Sequence, residues 1–211
     1  MNDFEYEVED GKATITNYTG GSGDVIVPSM IDGFPVTTIG DNAFCYCAGL
    51  TSITLPEGCT TIGRWAFYGC SSLTSITLPN SITTIEQYAF MNNTSLTSIT
   101  LPNSITTIGA SVFQGCTGLT SITLPNSVTT IGASAFQGCT SLTSITLPNS
   151  LTTIGDWAFQ DCDADITIRR DAAQKKLHAI YALVQANRHY TDPMAMEMVC
   201  EKIMELKEDA E

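Results

Sequence analysis

The register of one heptapeptide constrains this chain more than anything else in it. Leu-Thr-Ser-Ile-Thr-Leu-Pro begins at Leu50, Leu73, Leu96, Leu119 and Leu142, five times at a spacing of 23 residues. A fixed period in this range marks a solenoid. Each repeat is one supersecondary unit that buries its apolar side on the next. The order of coils is therefore legible, and the identity of a partner is not, because a solenoid is mainly a surface.

Residues 73–95 serve as the type repeat. Ile76 and Leu78 fall on one face of a short strand, and Ser75 and Thr77 on the other. Pro79 ends the strand because it has no N–H for a ladder, and Asn80-Ser81 turn the chain. Ile82 and Ile85 point inward, and Ala89-Phe90 predict a short turn of α- or 3₁₀-helix under the strand. Each coil thus sends Leu, Ile, Leu, Ile, Ile, Ala, Phe and usually Cys to a shared core, at the ~4.8 Å spacing of any sheet.

The pattern LxxIxLPxxIxxIGxxAFxGCxx resembles the BspA-like (Treponema-type) leucine-rich repeats over residues 24–162. Residues 24–49 read as a sixth, degenerate copy, with an insertion from Ser29 to Pro35. The resemblance implies a leucine-rich-repeat solenoid and a non-enzymatic role in protein binding or surface adhesion, since known members are mostly bacterial and protist surface proteins. The start, Met1-Asn2-Asp3-Phe4-Glu5, lacks the basic and apolar regions of a secretory signal. The chain as written therefore reads as cytoplasmic, and as a surface or secreted protein if an upstream signal has been removed.

The ends read differently from the middle. Phe4, Tyr6 and Val8 alternate with Glu5, Glu7 and Glu9, and Asp10-Gly11 turns the chain into Ala13 to Ile15. This predicts a β-hairpin cap over residues 1–23, followed by the solenoid over 24–168. Beyond Ile168 the periodicity becomes helical. Leu177, Ile180, Tyr181 and Val184 form one stripe, and Met196, Val199, Ile203 and Leu206 a second after the start signal Asp192-Pro193. Residues 169–211 therefore predict a helical pair, read either as a second cap or as a docking and self-association element.

Charge excludes some functions. The formal net charge is −13, and residues 50–162 hold Arg64 as their single base. That is no footprint for nucleic acid, and no run approaches the ~18 apolar residues of a membrane span. An acidic chain also admits the reading of an intracellular inhibitor or decoy of a basic protein. Nucleophile-elbow, zincin, phosphate-loop and dinucleotide motifs are missing from the sequence, so no catalytic residue, metal or cofactor is assigned. His178 and His189 lie in the helical tail. Asp161, Asp163 and Asp165 lack the glycine and closing glutamate of a calcium loop. Cys47, Cys70, Cys116, Cys139 and Cys162 share one repeat slot, which Asn93 fills in the odd coil. One cysteine per coil at a core position predicts free structural thiols.

Two faces compete as the binding surface. The concave strand face carries an unvarying lattice, including Ser75, Thr77, Ser98, Thr100, Ser121 and Thr123. It reads as filler of good strand propensity or as a match to a periodic ligand. The variable slot follows the Ile-Gly of each repeat and holds Trp65, Tyr88, Ser111, Ser134 and Trp157. With Arg64 and Tyr68 beside it, this slot has the residue types that anchor protein interfaces, or else rings lying flat as convex packing. Met194, Met196 and Met198 on the second tail helix form a further candidate, since Met-rich faces adapt to partners.

Overall fold

The computed structural model describes residues 3–162 and the strand 165–168. It is a β-solenoid of about six turns. The strands are β1 (Phe4–Glu9), β2 (Lys12–Tyr18), β3 (Gly23–Ile26), β4 (Met30–Ile31), β5 (Phe34–Ile39), β6 (Leu50–Thr54), β7 (Thr61–Ile62) and β8 (Ser75–Thr77). They continue as β9 (Thr84–Ile85), β10 (Ser98–Thr100), β11 (Thr107–Ile108), β12 (Ser121–Thr123), β13 (Thr130–Ile131), β14 (Ser144–Leu147), β15 (Thr153–Ile154) and β16 (Asp165–Ile168). Each full repeat supplies one strand to each of two parallel rows. Pairing is in strict 23-residue register, Ser98 against Ser121 against Ser144 and Ile108 against Ile131 against Ile154.

That register stacks like on like. Phe44, Phe67, Phe90, Phe113, Phe136 and Phe159 form a continuous ring column, with centroids 5.1–5.6 Å apart. At its first end Tyr18 stacks on Phe44 at 5.1 Å and Phe4 meets it edge-on. Both rings come from the antiparallel β1–β2 hairpin, whose turn residues Asp10 and Gly11 both have positive φ, as a type I′ turn requires. The insertion in the first coil is a second hairpin, β4–β5, tied to the first by the Tyr6 hydroxyl donating to the Asp32 carboxylate.

One expectation is corrected. The Ala-Phe segment is not a turn of α- or 3₁₀-helix, and no helix forms among the described residues. The backbone N–H groups of Trp65, Phe67 and Gly69 donate to carbonyls of the next coil, at Gln87 (3.4 Å), Ala89 (2.9 Å) and Met91 (2.9 Å). Those of Ala66, Tyr68 and Cys70 turn back to Gly63, Trp65 and Phe67 in their own coil. A helix would turn its N–H groups along its own axis, so they could not alternate between their own coil and the next. The alternation instead makes a stack of tight turns, which needs left-handed residues. φ is 54° at Trp65 and 70° at Gly69. The predicted tail helices, with Met194, Met196 and Met198, lie outside the described residues.

The polar side chains of the turns are also structural. Ser81, Ser127 and Ser150 donate to the preceding coil's carbonyls at Cys59 (2.6 Å), Ile105 (2.6 Å) and Val128 (2.5 Å), and Ser104 does the same to Ile82. Cys70, Cys116 and Cys139 direct Sγ to the carbonyls of Phe44, Phe90 and Phe113 at 3.0–3.1 Å. The seven described cysteines are free thiols. Burial pushes Cys59 up to about 11 and Cys70 and Cys116 up to about 12, so they stay protonated and unreactive at neutral pH.

Both strand rows break at one place. No strand pairing links β8 to β10 or β9 to β11. Thr97 N lies 3.5 Å from Thr74 O, against 2.9 Å for Thr74 N to Thr51 O and 3.0 Å for Thr120 N to Thr97 O. The turn stack still crosses the seam, with Tyr88, Phe90 and Asn92 donating to Ala110, Val112 and Gln114 at 2.8–3.1 Å. The coil below the seam departs from the repeat at Glu86, where the others place Gly40, Gly63, Gly109, Gly132 and Gly155. Coils approach too closely there for a side chain. A Cβ on Gly132 would sit 2.6 Å from Ala110 N, and one on Gly155 2.3 Å from Ala133 N. A Cβ on Gly109, facing the Glu86 coil, would sit 3.5 Å from Gln87 N. The coils stand further apart across this seam, where both ladders are lost, whereas on its other side the Glu86 coil keeps the β7–β9 ladder, with Glu86 N donating to Ile62 O at 2.9 Å.

Candidate protein-binding face

The slot after Ile-Gly has positive φ in all six coils. The values are 60° at Asn42, 54° at Trp65, 64° at Tyr88, 54° at Ser111 and Ser134, and 57° at Trp157. The turn stack, not the side chain, sets this conformation, because serine and asparagine adopt it too. Asparagine tolerates the left-handed region, whereas a bulky side chain there is an outlier held at about 1–3 kcal/mol of strain. The aromatic occupants therefore do not follow from the fold alone.

The rings are partly repaid by each other. Trp65 and Tyr88 stack at 5.5 Å with 15° between planes, and the Arg64 guanidinium lies 5.0 Å from the Trp65 centroid. Such pairs contribute about 0.5–1.5 and 0.5–1 kcal/mol, comparable to the strain, so the net effect on stability is near zero. The Arg64 guanidinium also donates to Gln87 Oε1 at 3.0 Å, and its backbone N–H donates to Asp41 Oδ1 at 2.8 Å. Both Trp65 and Tyr88 are half-buried.

Tyr68 is drawn into a neighbouring row. It meets Tyr46 edge-on at 5.0 Å, and Asn92 Nδ2 donates to its hydroxyl at 3.4 Å. Tyr46 is 68 % exposed and extends the aromatic face by one coil. Hydrogen bonding to Tyr68 raises the Tyr46 hydroxyl above its ordinary value. Trp157 is 46 % exposed, four coils from Trp65. Between Tyr88 and Trp157 the slot holds only Ser111 and Ser134, and the preceding residues are Ala110 and Ala133. Beside this low stretch runs an amide ladder, Gln114 to Gln137 at 2.9 Å and Gln137 to Gln160 at 3.0 Å. Arg64, Trp65 and Tyr88 are thus assembled into one patch, Tyr68 lies beside it, and Trp157 stands apart. Sequence reasoning missed Tyr46, Gln87 and the glutamine ladder. Their 23-residue offsets from Gly69, Arg64 and one another were the available signal.

On the strand face Ser75, Thr77, Ser98, Thr100, Ser121 and Thr123 are all exposed, and none of their side-chain hydroxyls makes a hydrogen bond among the described residues. The lattice changes only at its ends. Asp24 pairs in register with Ser52 and Asp165 with Ser144. The Asp24 carboxylate accepts from the hydroxyls of Ser52 (2.7 Å) and Thr51 (2.8 Å), which hold it below its ordinary value. Among the described residues no helix is long and apolar enough to cross a membrane.

The profile of the BspA type leucine-rich repeat region matches residues 37–166 in six copies. A leucine-rich repeat protein of Treponema pallidum is 33 % identical, with a TM-score of 0.71 over 76 % of this chain and 87 % of that one. A leucine-rich cell surface protein of Faecalibacterium prausnitzii is 32 % identical, with a TM-score of 0.62 over 80 % of this chain and 53 % of that one. The pneumococcal vaccine antigen PcpA is 25 % identical, with a TM-score of 0.66 over 80 % of this chain and 49 % of that one. The chain thus spans most of the first relative and about half of the other two. No curated protein sequence matches at a significant level.

Proposed function

The chain belongs to the BspA-type leucine-rich repeat family, and on that premise we propose that it is a non-enzymatic scaffold that binds a protein through its turn face. The observation that carries this is the occupancy of the left-handed slot. Three of six coils hold Trp or Tyr where Ser or Asn suffices for the fold. Strain retained at defined positions of a repeat is the mark of a surface shaped for a ligand, and Trp, Tyr and Arg are the residues that dominate interfaces. Between its two ends the strand-face lattice offers no feature that distinguishes one coil from the next.

The test is site-resolved crosslinking of the full chain in an extract of the source cell. A photoreactive residue at Tyr68 or Gln87 should yield a protein adduct that is lost in Trp65→Ser/Tyr88→Ser. One at Thr77 or Thr100 should yield none. Adducts from the strand face alone would transfer the function to that face. A second reading, adhesion at a cell surface, is favoured by the relative described as a cell surface protein. It predicts that the captured protein belongs to a host or matrix and not to the source cytoplasm.

A further inference from the structure

The turn face is nearly self-complementary in side-chain size and charge about a centre at Ala110 and Ser111. Arg64 and Asp156 occupy the same repeat slot, two coils to either side of Ala110, and both are exposed. Arg64 is the single basic residue between Lys12 and Arg169. Trp65 and Trp157 flank Ser111 in the same way. One coil from the centre, Tyr88 is matched by Ser134 and Gln87 by Ala133, a large residue against a small one each time. A two-fold axis lying in the contact plane, across the solenoid at Ser111, would reverse the order of coils while keeping each row opposite itself. An isologous contact of this kind requires self-complementarity, and every off-centre pair meets that condition. Arg64 meets Asp156, Tyr88 fits over Ser134, Gln87 over Ala133, and the two tryptophans meet each other.

We infer that this face pairs antiparallel with a second copy of the chain, the Arg64–Asp156 contact being made twice per dimer. The inference rests on the reading of the turn face as a binding surface and names its partner. Four coil steps of about 4.8 Å make a patch roughly 19 Å long. That lies at the low end of interface sizes, so the dimer is weak and reversible. Charge sets its register. Opposed charges contribute modestly at such a rim, but like charges placed there twice disfavour the pairing strongly.

The experiment is sedimentation equilibrium of the full chain at low salt, from about 5 to about 500 µM, the range in which a patch this small associates. Arg64→Asp and Asp156→Arg should each weaken dimerisation at least tenfold. The exchanged double variant Arg64→Asp/Asp156→Arg should return it to within about threefold of the parent, because the pair is restored with its polarity reversed. Asp156 makes no side-chain hydrogen bond among the described residues, so its variant probes the contact without disturbing the coil. A chain that stays monomeric throughout overturns the inference, as does a dimer insensitive to both single changes or one that the exchange does not restore. Failure here leaves the binding reading standing if crosslinking from Tyr68 and Gln87 still captures another protein. Loss of those adducts in a chain that does dimerise as described would remove the heterologous partner and keep the dimer.

Discussion

Replacing Asn93 by cysteine should make the protein more stable. Asn93 is fully buried in the slot that other coils fill with cysteine. Its Nδ2 donates to Phe67 O at 2.8 Å and Phe90 O at 2.7 Å, while its Oδ1 is buried without a hydrogen-bond partner. An orphaned buried acceptor costs about 1–3 kcal/mol, against about 1 kcal/mol for an ordinary hydrogen bond. A cysteine would keep one donor, its thiol aimed at Phe67 O as Cys116 aims at Phe90 O at 3.1 Å. Phe90 O would take the backbone N–H of residue 93, as Phe113 O takes that of Cys116 at 3.1 Å. The orphan disappears and little is lost, leaving a net gain of about 1 kcal/mol. For a chain of this length that raises Tm by about 2–4 °C. Chemical denaturation followed by circular dichroism, under reducing conditions, reads the change directly. Asn93→Ala is the control and should destabilise by about 2 kcal/mol, since it strips both donors and leaves a cavity. A loss of 1 kcal/mol or more in Asn93→Cys would show that the two amide bonds outweigh the orphan, and the reasoning would fail.

Three further outcomes follow from the packing. The seam should show in amide exchange. Thr106 and Gly109, at the seam, should exchange faster than Thr83 and Gly132, whose N–H groups donate to Thr60 O and Ile108 O of the preceding coil. Gly132→Ala should destabilise by several kcal/mol, because its Cβ would stand 2.6 Å from Ala110 N. The same change at Gly109 should cost well under half as much, a comparison that denaturation midpoints settle. The third outcome is alkaline. Cys59, Cys70 and Cys116 have folded values of about 11, 12 and 12 against an ordinary 9.0. Their contribution is whole below pH 9 and declines as pH rises toward 11–12, by about 1.4 kcal/mol per thiol per pH unit. Denaturation at pH 8 and pH 10 should show the fall, and Cys70→Ala should make it shallower.

The sequence made the solenoid legible because a 23-residue register cannot be satisfied by another arrangement. Repeated Leu, Ile and Phe must bury side by side, and repeated cysteine at a core slot must be a thiol with a local acceptor. The Ala-Phe turn misled because adjacent apolar residues between polar ones fit a helical turn equally well. The sign of φ at Trp65 has no signature in tryptophan, and only the glycines at Gly69, Gly115 and Gly138, in the other left-handed slot, hinted at it. The sequence assigns Asn80-Ser81 only to turning the chain, yet Ser81, Ser127 and Ser150 staple coil to coil. Those on the strand face, in the same composition, do nothing of the kind. Composition cannot separate the two sets, since only the direction of each side chain does. The seam between β9 and β11 depends on a clearance between backbones that no residue type announces.

The claim at the centre of this account is that Trp65, Tyr88 and Trp157 are carried for a partner and not for the fold. The equilibrium stability of Trp65→Ser/Tyr88→Ser/Trp157→Ser, measured by chemical denaturation with circular dichroism, tests it most directly. Relief of strain at three left-handed positions offsets the lost ring and cation contacts. The variant should therefore unfold within about 1 kcal/mol of the parent. A loss of about 3 kcal/mol or more would show that the rings hold the coils together, and would contradict the claim.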